Sequence, residues 1–142
     1  MGYNYRITNL QAAIGYSQLW RIEETLARNR HVAELYKQRL HGIRGVRFPP
    51  PLDPIYQPVV WLACVQVPAE KRDQLLAAAL EANIEMRPFF HSLSSMPLYR
   101  KFGRACPNSL ELAATGINLP TSYAIDAQTV SRVTKVFRDV LE

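Results

Sequence analysis

The sequence predicts an α+β domain: a small, mostly antiparallel sheet covered by helices. Three observations carry this. Helical and extended stretches alternate irregularly along 142 residues, a length that buries a real core. The stretch "AEKRDQLLAAALEAN" and the closing "DAQTVSRVTKVFRDVLE" carry the apolar pattern of amphipathic helices. Between the helices, "QPVVWLACVQVP" is rich in β-branched and aromatic residues and ends at Pro68, as a buried strand does.

The first element is a long helix. "TNLQ" forms a capping box, in which the Thr8 hydroxyl accepts from the Gln11 N–H while Gln11 reaches back. The helix is expected to run from Thr8 to about His41, with Gly42 as its stop. Leu19, Ile22, Leu26, Ala33, Tyr36 and Leu40 fall on steps of three and four, with Asn29 completing one seam. About 33 helical residues span roughly 50 Å, more than a small domain is wide. Part of that helix is therefore expected to lean on something outside this sequence, or to break near Gly15.

"RGVRFPPP" predicts a short strand closed by prolines, which donate no ladder bond. After the strand over 57–68 and the helix over 69–83, "IEMRPFF" is the next strand, with Arg87 held extended by Pro88. "HSLSSMPLYRKFG" reads as a loop with one helical turn around Leu98. "CPNSLELAATG" is a short helix with Pro107 in its first turn and Gly116 as its stop. "INLP" is a brief strand, and Asp126 caps the last helix.

Composition narrows the function classes. Nearly half the residues are apolar and a fifth are charged, a globular balance rather than a disordered one. The apolar runs are far too short for a membrane span. Tyr, Asn and Arg interrupt the first stretch, so no signal peptide is read and a cytoplasmic protein is expected. Cys64 and Cys106 have no metal-ligand or disulfide spacing, so no metal site is expected. The net charge of +5 favours anions, but the arginines are scattered, with no basic stripe and no stacking platform for nucleic acid.

Two clusters suit phosphates and sugars. Tyr3, Asn4, Tyr5 and Arg6 lie just ahead of a helix N-terminus, where free N–H groups and the dipole favour an anion. Arg87, Phe89, Phe90 and His91 combine a planar guanidinium fork with stacking faces and an imidazole at a strand end. The plainer readings are a tyrosine-rich lead-in that packs and an edge strand with exposed aromatics. His31 and His41 are read as solvated. Lys37, Lys71, Lys101 and Lys135 have none of the apolar surroundings that prepare a Schiff-base lysine. No nucleophile elbow, phosphate loop or zinc motif is present.

"GYNYRITNLQAAIGYSQL" resembles the G-Y-N-Y-R-x-[ST]-[ND]-x-Q-A-A-I-G segment of the DegT/DnrJ/EryC1/StrS family of pyridoxal-phosphate-dependent sugar aminotransferases. "IEMRPFFHSLSSMPLY" and "ATGINLPTS" resemble two later segments of that family, in the same order and spacing. The nearest flavour is that of the perosamine-synthase-like members. The resemblance implies the C-terminal small domain, plus the long connecting helix, of the type I aspartate-aminotransferase fold. Residues 1–42 would end the large domain and form the connecting helix, and 43–142 would form the small domain. The cofactor implied is pyridoxal 5'-phosphate in the complete enzyme, not bound by this chain alone.

The resemblance also implies roles. Asn4 falls on the Asn that reaches across a homodimer to the cofactor phosphate. Tyr5, Arg6, Arg87, Phe89, Phe90 and His91 fall on segments that approach the nucleotide sugar. Ser92 and Ser94 depart from the family's Pro and His, which leaves the sugar open. The implied reaction transfers an amino group, with glutamate as donor, to a 4-keto-6-deoxy sugar nucleotide. The Schiff-base lysine is not in this sequence, so the chain is expected to be a C-terminal fragment, not catalytic alone. Two rivals remain: a free-standing module binding a phosphorylated sugar, and a basic nucleic-acid-binding domain.

Overall fold

A computed structural model describes residues 2–53, 55–56 and 58–142. It contains five α-helices among the described residues: α1 (Asn9–Leu19), α2 (Ile22–Leu40), α3 (Ala69–Glu81), α4 (Pro107–Thr115) and α5 (Ala127–Leu141). Three strands, β1 (Ala63–Gln66), β2 (Arg87–Pro88) and β3 (Gly116–Leu119), form one antiparallel sheet in the order β1-β3-β2. The last strand in the chain is thus the middle of the sheet. Ile117 stands opposite Val65 on one side and Pro88 on the other.

The core lies where α5 packs on both α2 and α3, which in turn meet the sheet. Val32, Tyr36 and Leu40 of α2 share one buried cluster with Leu75 and Ala79 of α3 and Val130, Val133 and Phe137 of α5. Val65, Ile117 and Leu119 close the core from the sheet. The buried positions of α5 follow the three-and-four spacing that its sequence shows. Tyr36 is buried with its hydroxyl donating to the Pro120 carbonyl at 3.0 Å. Burial pushes this phenol above its ordinary range.

The single helix expected from Thr8 to His41 is two helices. The capping box is present: the Gln11 N–H donates to Thr8 Oγ1 at 3.3 Å and the Thr8 N–H to Gln11 Oε1 at 2.9 Å. The break falls at Trp20–Arg21, not near Gly15, which remains helical. There the Arg21 N–H bonds back only three residues, to the Gln18 carbonyl, and Arg21 takes φ −112° and ψ 13°. No Gly or Pro marks this place, and Glu23 and Glu24 suit the new N-terminus electrostatically. Gly42 ends α2 as expected, at φ +85°, a conformation open to glycine.

The strands are shorter than the sequence suggests. "RGVRFPPP" yields one isolated bridge, Arg47 to Gln66, because the prolines after it supply no donors. Of the strand expected over 57–68, Ala63–Gln66 pairs; Val59 and Trp61 are exposed, and Gln57 lies outside the described residues. The strand expected over 84–90 keeps a two-residue ladder at Arg87–Pro88, extended by the Phe89 N–H bond to the Gly116 carbonyl at 3.1 Å. The helical turn expected around Leu98 is present, with the Tyr99 and Arg100 N–H groups donating to the Met96 carbonyl at 3.0 and 2.9 Å, and two 3₁₀ turns, Leu93–Ser95 and Arg100–Phe102, flank it. Gly116 follows α4 directly but is extended, as the first residue of β3. A Cβ there would overlap the Phe89 ring, so glycine is required for packing rather than for a left-handed cap.

Candidate functional site

A cavity of about 590 Å³ opens between α2 and the edge of the sheet formed by β2 and β3. Helix α2 contributes Thr25 and Asn29, β2 contributes Arg87, and the turn after β3 contributes Thr121 and Tyr123. Trp61 and Phe90 flank it with exposed rings. Most polar groups here are already engaged. Thr121 accepts from the Ala63 N–H at 2.9 Å and donates to the Leu119 carbonyl at 2.8 Å. Asn118 donates to the Pro88 carbonyl at 3.2 Å and accepts from Cys64 Sγ at 3.3 Å. Burial pushes the Cys64 thiol up, toward its neutral form.

Asn29 donates to the Val60 carbonyl at 2.9 Å, which ties α2 to the segment before β1 and leaves its amide oxygen as an acceptor. Glu85, which also lines the cavity, pairs with Arg87, accepting from its Nε at 2.9 Å and from one terminal nitrogen at 2.5 Å, so the second terminal nitrogen is the part of the guanidinium left for a ligand. Tyr123 is held from two sides. Its hydroxyl donates to Glu24 at 3.0 Å, and the Arg28 guanidinium lies 4.4 Å from its ring centre. The arrangement sets an oriented guanidinium, one amide acceptor and exposed aromatic faces around one cavity.

The structure divides the residues that the sequence singles out. Arg87 and Phe90 share the cavity with Asn29. Phe89 packs over Gly116 and lines an adjoining apolar cavity of about 540 Å³, where Trp61 and Phe90 recur. His91 is exposed and lines neither. Asn4 and Arg6 meet each other: Asn4 Oδ1 accepts from the Arg6 N–H at 3.1 Å and from its Nε at 3.3 Å. The Tyr3 and Tyr5 rings lie 6.0 Å apart. All four are exposed, and none lines the cavity that Arg87 enters.

Sequence reasoning missed Asn29, Trp61, Asn118 and Tyr123. Asn29 carried a signal: it is the one polar member of an otherwise apolar seam. Trp61 was absorbed into a strand that does not extend to it. Asn118 and Tyr123 become site residues because β3 is central, which no local pattern shows.

The chain matches the DegT/DnrJ/EryC1/StrS aminotransferase family over residues 1–138. It belongs to that family. It is 32% identical over 151 aligned residues to the GDP-perosamine synthase of Caulobacter vibrioides, covering 99% of this chain and 39% of the relative. It is 30% identical over 130 residues to that of Escherichia coli O157:H7, covering 92% and 35%. Among solved structures, the aminotransferase TlmJ from Streptoalloteichus hindustanus superposes with a TM-score of 0.84 at 27% identity, over 92% of this chain and 36% of that one. DesV of S. venezuelae superposes at 0.89 and 23% identity, over 99% and 38%, a likeness of fold. The chain therefore spans between a third and two fifths of the length of these relatives.

Membership in this family implies pyridoxal phosphate in the complete enzyme. The residues present do not by themselves build a site for it. That cofactor is held through a lysine amine, and none of the four lysines is among the described residues lining the cavity. Lys71 bonds Gln74, Lys135 bonds Asp139, and Lys37 and Lys101 are exposed. No group of residues suited to a metal ion occurs among the described residues. No helix among the described residues is long and apolar enough to cross a membrane.

Proposed function

We propose that this chain is the C-terminal portion of a pyridoxal-phosphate-dependent nucleotide-sugar aminotransferase. The reaction is amino transfer from glutamate to a 4-keto-6-deoxy sugar nucleotide. The observation that supports this best is the cavity at the β2–β3 edge in a chain of this family. Arg87, held by Glu85, offers its remaining terminal N–H groups to sugar hydroxyls, and Asn29 offers an acceptor. Trp61 and Phe90 exclude water from a ring seated between α2 and the sheet.

On this reading residues 1–42 form the end of the large domain and the connecting helix, and 43–142 form the small domain. Asn4 reaches the cofactor phosphate of a partner subunit in a homodimer, and Tyr5 and Arg6 lie beside the same substrate. Phe89 acts behind Phe90 by packing on Gly116, and His91 faces the nucleotide sugar from the loop. These side chains bind and orient; the amine that moves the proton belongs to another part of the enzyme.

The test compares the 142-residue chain with the same chain expressed together with its upstream coding sequence. Each is supplied with pyridoxal phosphate, glutamate and a GDP-linked 4-keto-6-deoxy sugar. The chain alone is expected to form no amino sugar, and the longer protein to form it. Arg87→Ala in the longer protein is expected to lower kcat/KM about tenfold or more, as loss of a charge-assisted contact does. Turnover by the chain alone, or an unchanged rate in R87A, would overturn the proposal.

A further inference from the structure

The cavity at the β2–β3 edge is lined, among the described residues, by one cation and one anion, Arg87 and Glu85. The two share a face because the chain here alternates. Ile84 and Met86 are buried, while Glu85 and Arg87 are exposed. Their contact is lopsided. Arg87 Nε and one terminal nitrogen donate to the same carboxylate oxygen, Oε1. Among the described residues, Glu85 Oε2 accepts no hydrogen bond, and the second terminal nitrogen of Arg87 donates none.

The side chains of Arg87 and Glu85 are 75% and 73% exposed, and a pair so open to water adds little to folding stability. It sets a charged acceptor beside a charged donor on one wall of the cavity. A hydroxyl suits both, since its proton can go to a carboxylate oxygen while its own oxygen accepts from a guanidinium. A phosphate oxygen brings negative charge and is an acceptor. It would satisfy Arg87 and be repelled by Glu85. Other polar groups of the cavity lean the same way. Asn29 keeps an amide oxygen as acceptor, and the Thr25 and Thr121 hydroxyls have given their protons to the Arg21 and Leu119 carbonyls.

We propose that Glu85 contacts the substrate and determines specificity in this cavity. Its Oε2 accepts from a ring hydroxyl, and the Glu85–Arg87 couple seats the sugar ring there rather than the diphosphate. The proposal rests on the aminotransferase reading and names the part of the substrate that the cavity holds. A 4-keto-6-deoxyhexose linked through C1 keeps hydroxyls only at C2 and C3, on adjacent carbons. The preferred substrates are therefore 4-keto sugars that retain this diol.

The test is calorimetric titration of the longer protein, the chain with its upstream coding sequence, without glutamate, so that binding is read without turnover. The ligands are GDP-linked 4-keto-6-deoxymannose, its 2-deoxy and 3-deoxy counterparts, and GDP. The unaltered protein is expected to bind the diol-bearing sugar about tenfold more tightly than at least one deoxy counterpart. Glu85→Ala is expected to weaken the diol-bearing sugar about tenfold, which brings that ratio close to one, with an unchanged thermal midpoint. Glu85→Gln, which keeps a neutral acceptor, is expected to lose about threefold. GDP binding is expected to be the same in all three proteins. A ratio unchanged in E85A would overturn the proposal, as would absence of sugar binding by the unaltered protein. A gain in GDP affinity in E85Q would place the diphosphate beside Glu85 and overturn it too. Normal turnover with an unchanged ratio in E85A sinks this proposal alone. Absence of amino-sugar formation with the expected ratios sinks the aminotransferase reading alone.

Discussion

The first helix and the last one contain similar shares of apolar residues and fare in opposite ways. Helix α5 buries Val130, Val133, Val136 and Phe137 against α2 and α3. Helix α1 has a complete capping box, good helix formers and no buried residue, with Leu10, Ile14, Leu19 and Trp20 all exposed. The boundary between the two regimes runs through α2, whose Val32, Tyr36 and Leu40 are buried while Ile22 is not. Local signals are therefore enough to write a helix and not enough to give it a partner. Within this chain α1 rests on its cap and its own backbone bonds, a marginal situation for 11 residues.

The largest expected effect breaks the packed side of that contrast. Phe137→Ala is expected to cost about 3–5 kcal/mol in urea unfolding, because a fully buried ring leaves a cavity among α2, α3 and α5. Leu10→Ala on α1 should cost less than about 0.5 kcal/mol. A similar loss from both would place α1 in the same cooperative core and dissolve the comparison. Next in size, Gly116→Ala should cost about 1–3 kcal/mol, since the new methyl meets the Phe89 ring. Adding Phe89→Ala ought to recover most of that loss, and a double-mutant cycle reads the coupling directly.

The smallest effect compares the two caps. The Asp126 carboxylate accepts from the Thr129 backbone N–H at 2.7 Å and from its hydroxyl at 2.8 Å. These bonds hold its pKa below the usual carboxylate range. Its stabilising contribution is thus present above the ordinary carboxylate pKa and is lost as pH falls through the lowered folded value. Asp126→Asn should flatten the fall in thermal midpoint from about pH 5 downward. Thr8→Ala, which removes the α1 cap, should lower helical circular dichroism slightly with no pH signature and no shift in the main transition. A pH-dependent midpoint unchanged in D126N would remove the capping account.

Much of the fold was legible, and the misses have physical causes. Helices α3 and α5 and the caps or stops expected at Thr8, Gly42, Gly116 and Asp126 follow from spacing and side-chain chemistry within a few residues, although Gly116 stops α4 in an extended conformation. The break at Trp20–Arg21 has no such marker, because it arises from a tightened turn between good helix formers. The strands were overestimated because β propensity marks extended chain, whereas a ladder also requires a neighbour. Val59 and Trp61 are extended-chain types with no strand beside them among the described residues. Of the candidate site, Arg87 and Phe90 were readable from their motif. Asn29, Asn118 and Tyr123 were not, since they come from three elements.

By itself the sequence determined the α+β class, the family and the residue types able to hold phosphates and sugars. These depend on local order, on spacing and on a motif read in one direction. Only the tertiary structure decided that the last strand lies between the other two, which brings Asn118 and Tyr123 beside Arg87 and Asn29. Only the tertiary structure gave Gly116 its purpose under the Phe89 ring. The reason is the same in each case. Side chains distant in sequence share a cavity only after burial of the core has chosen which elements touch.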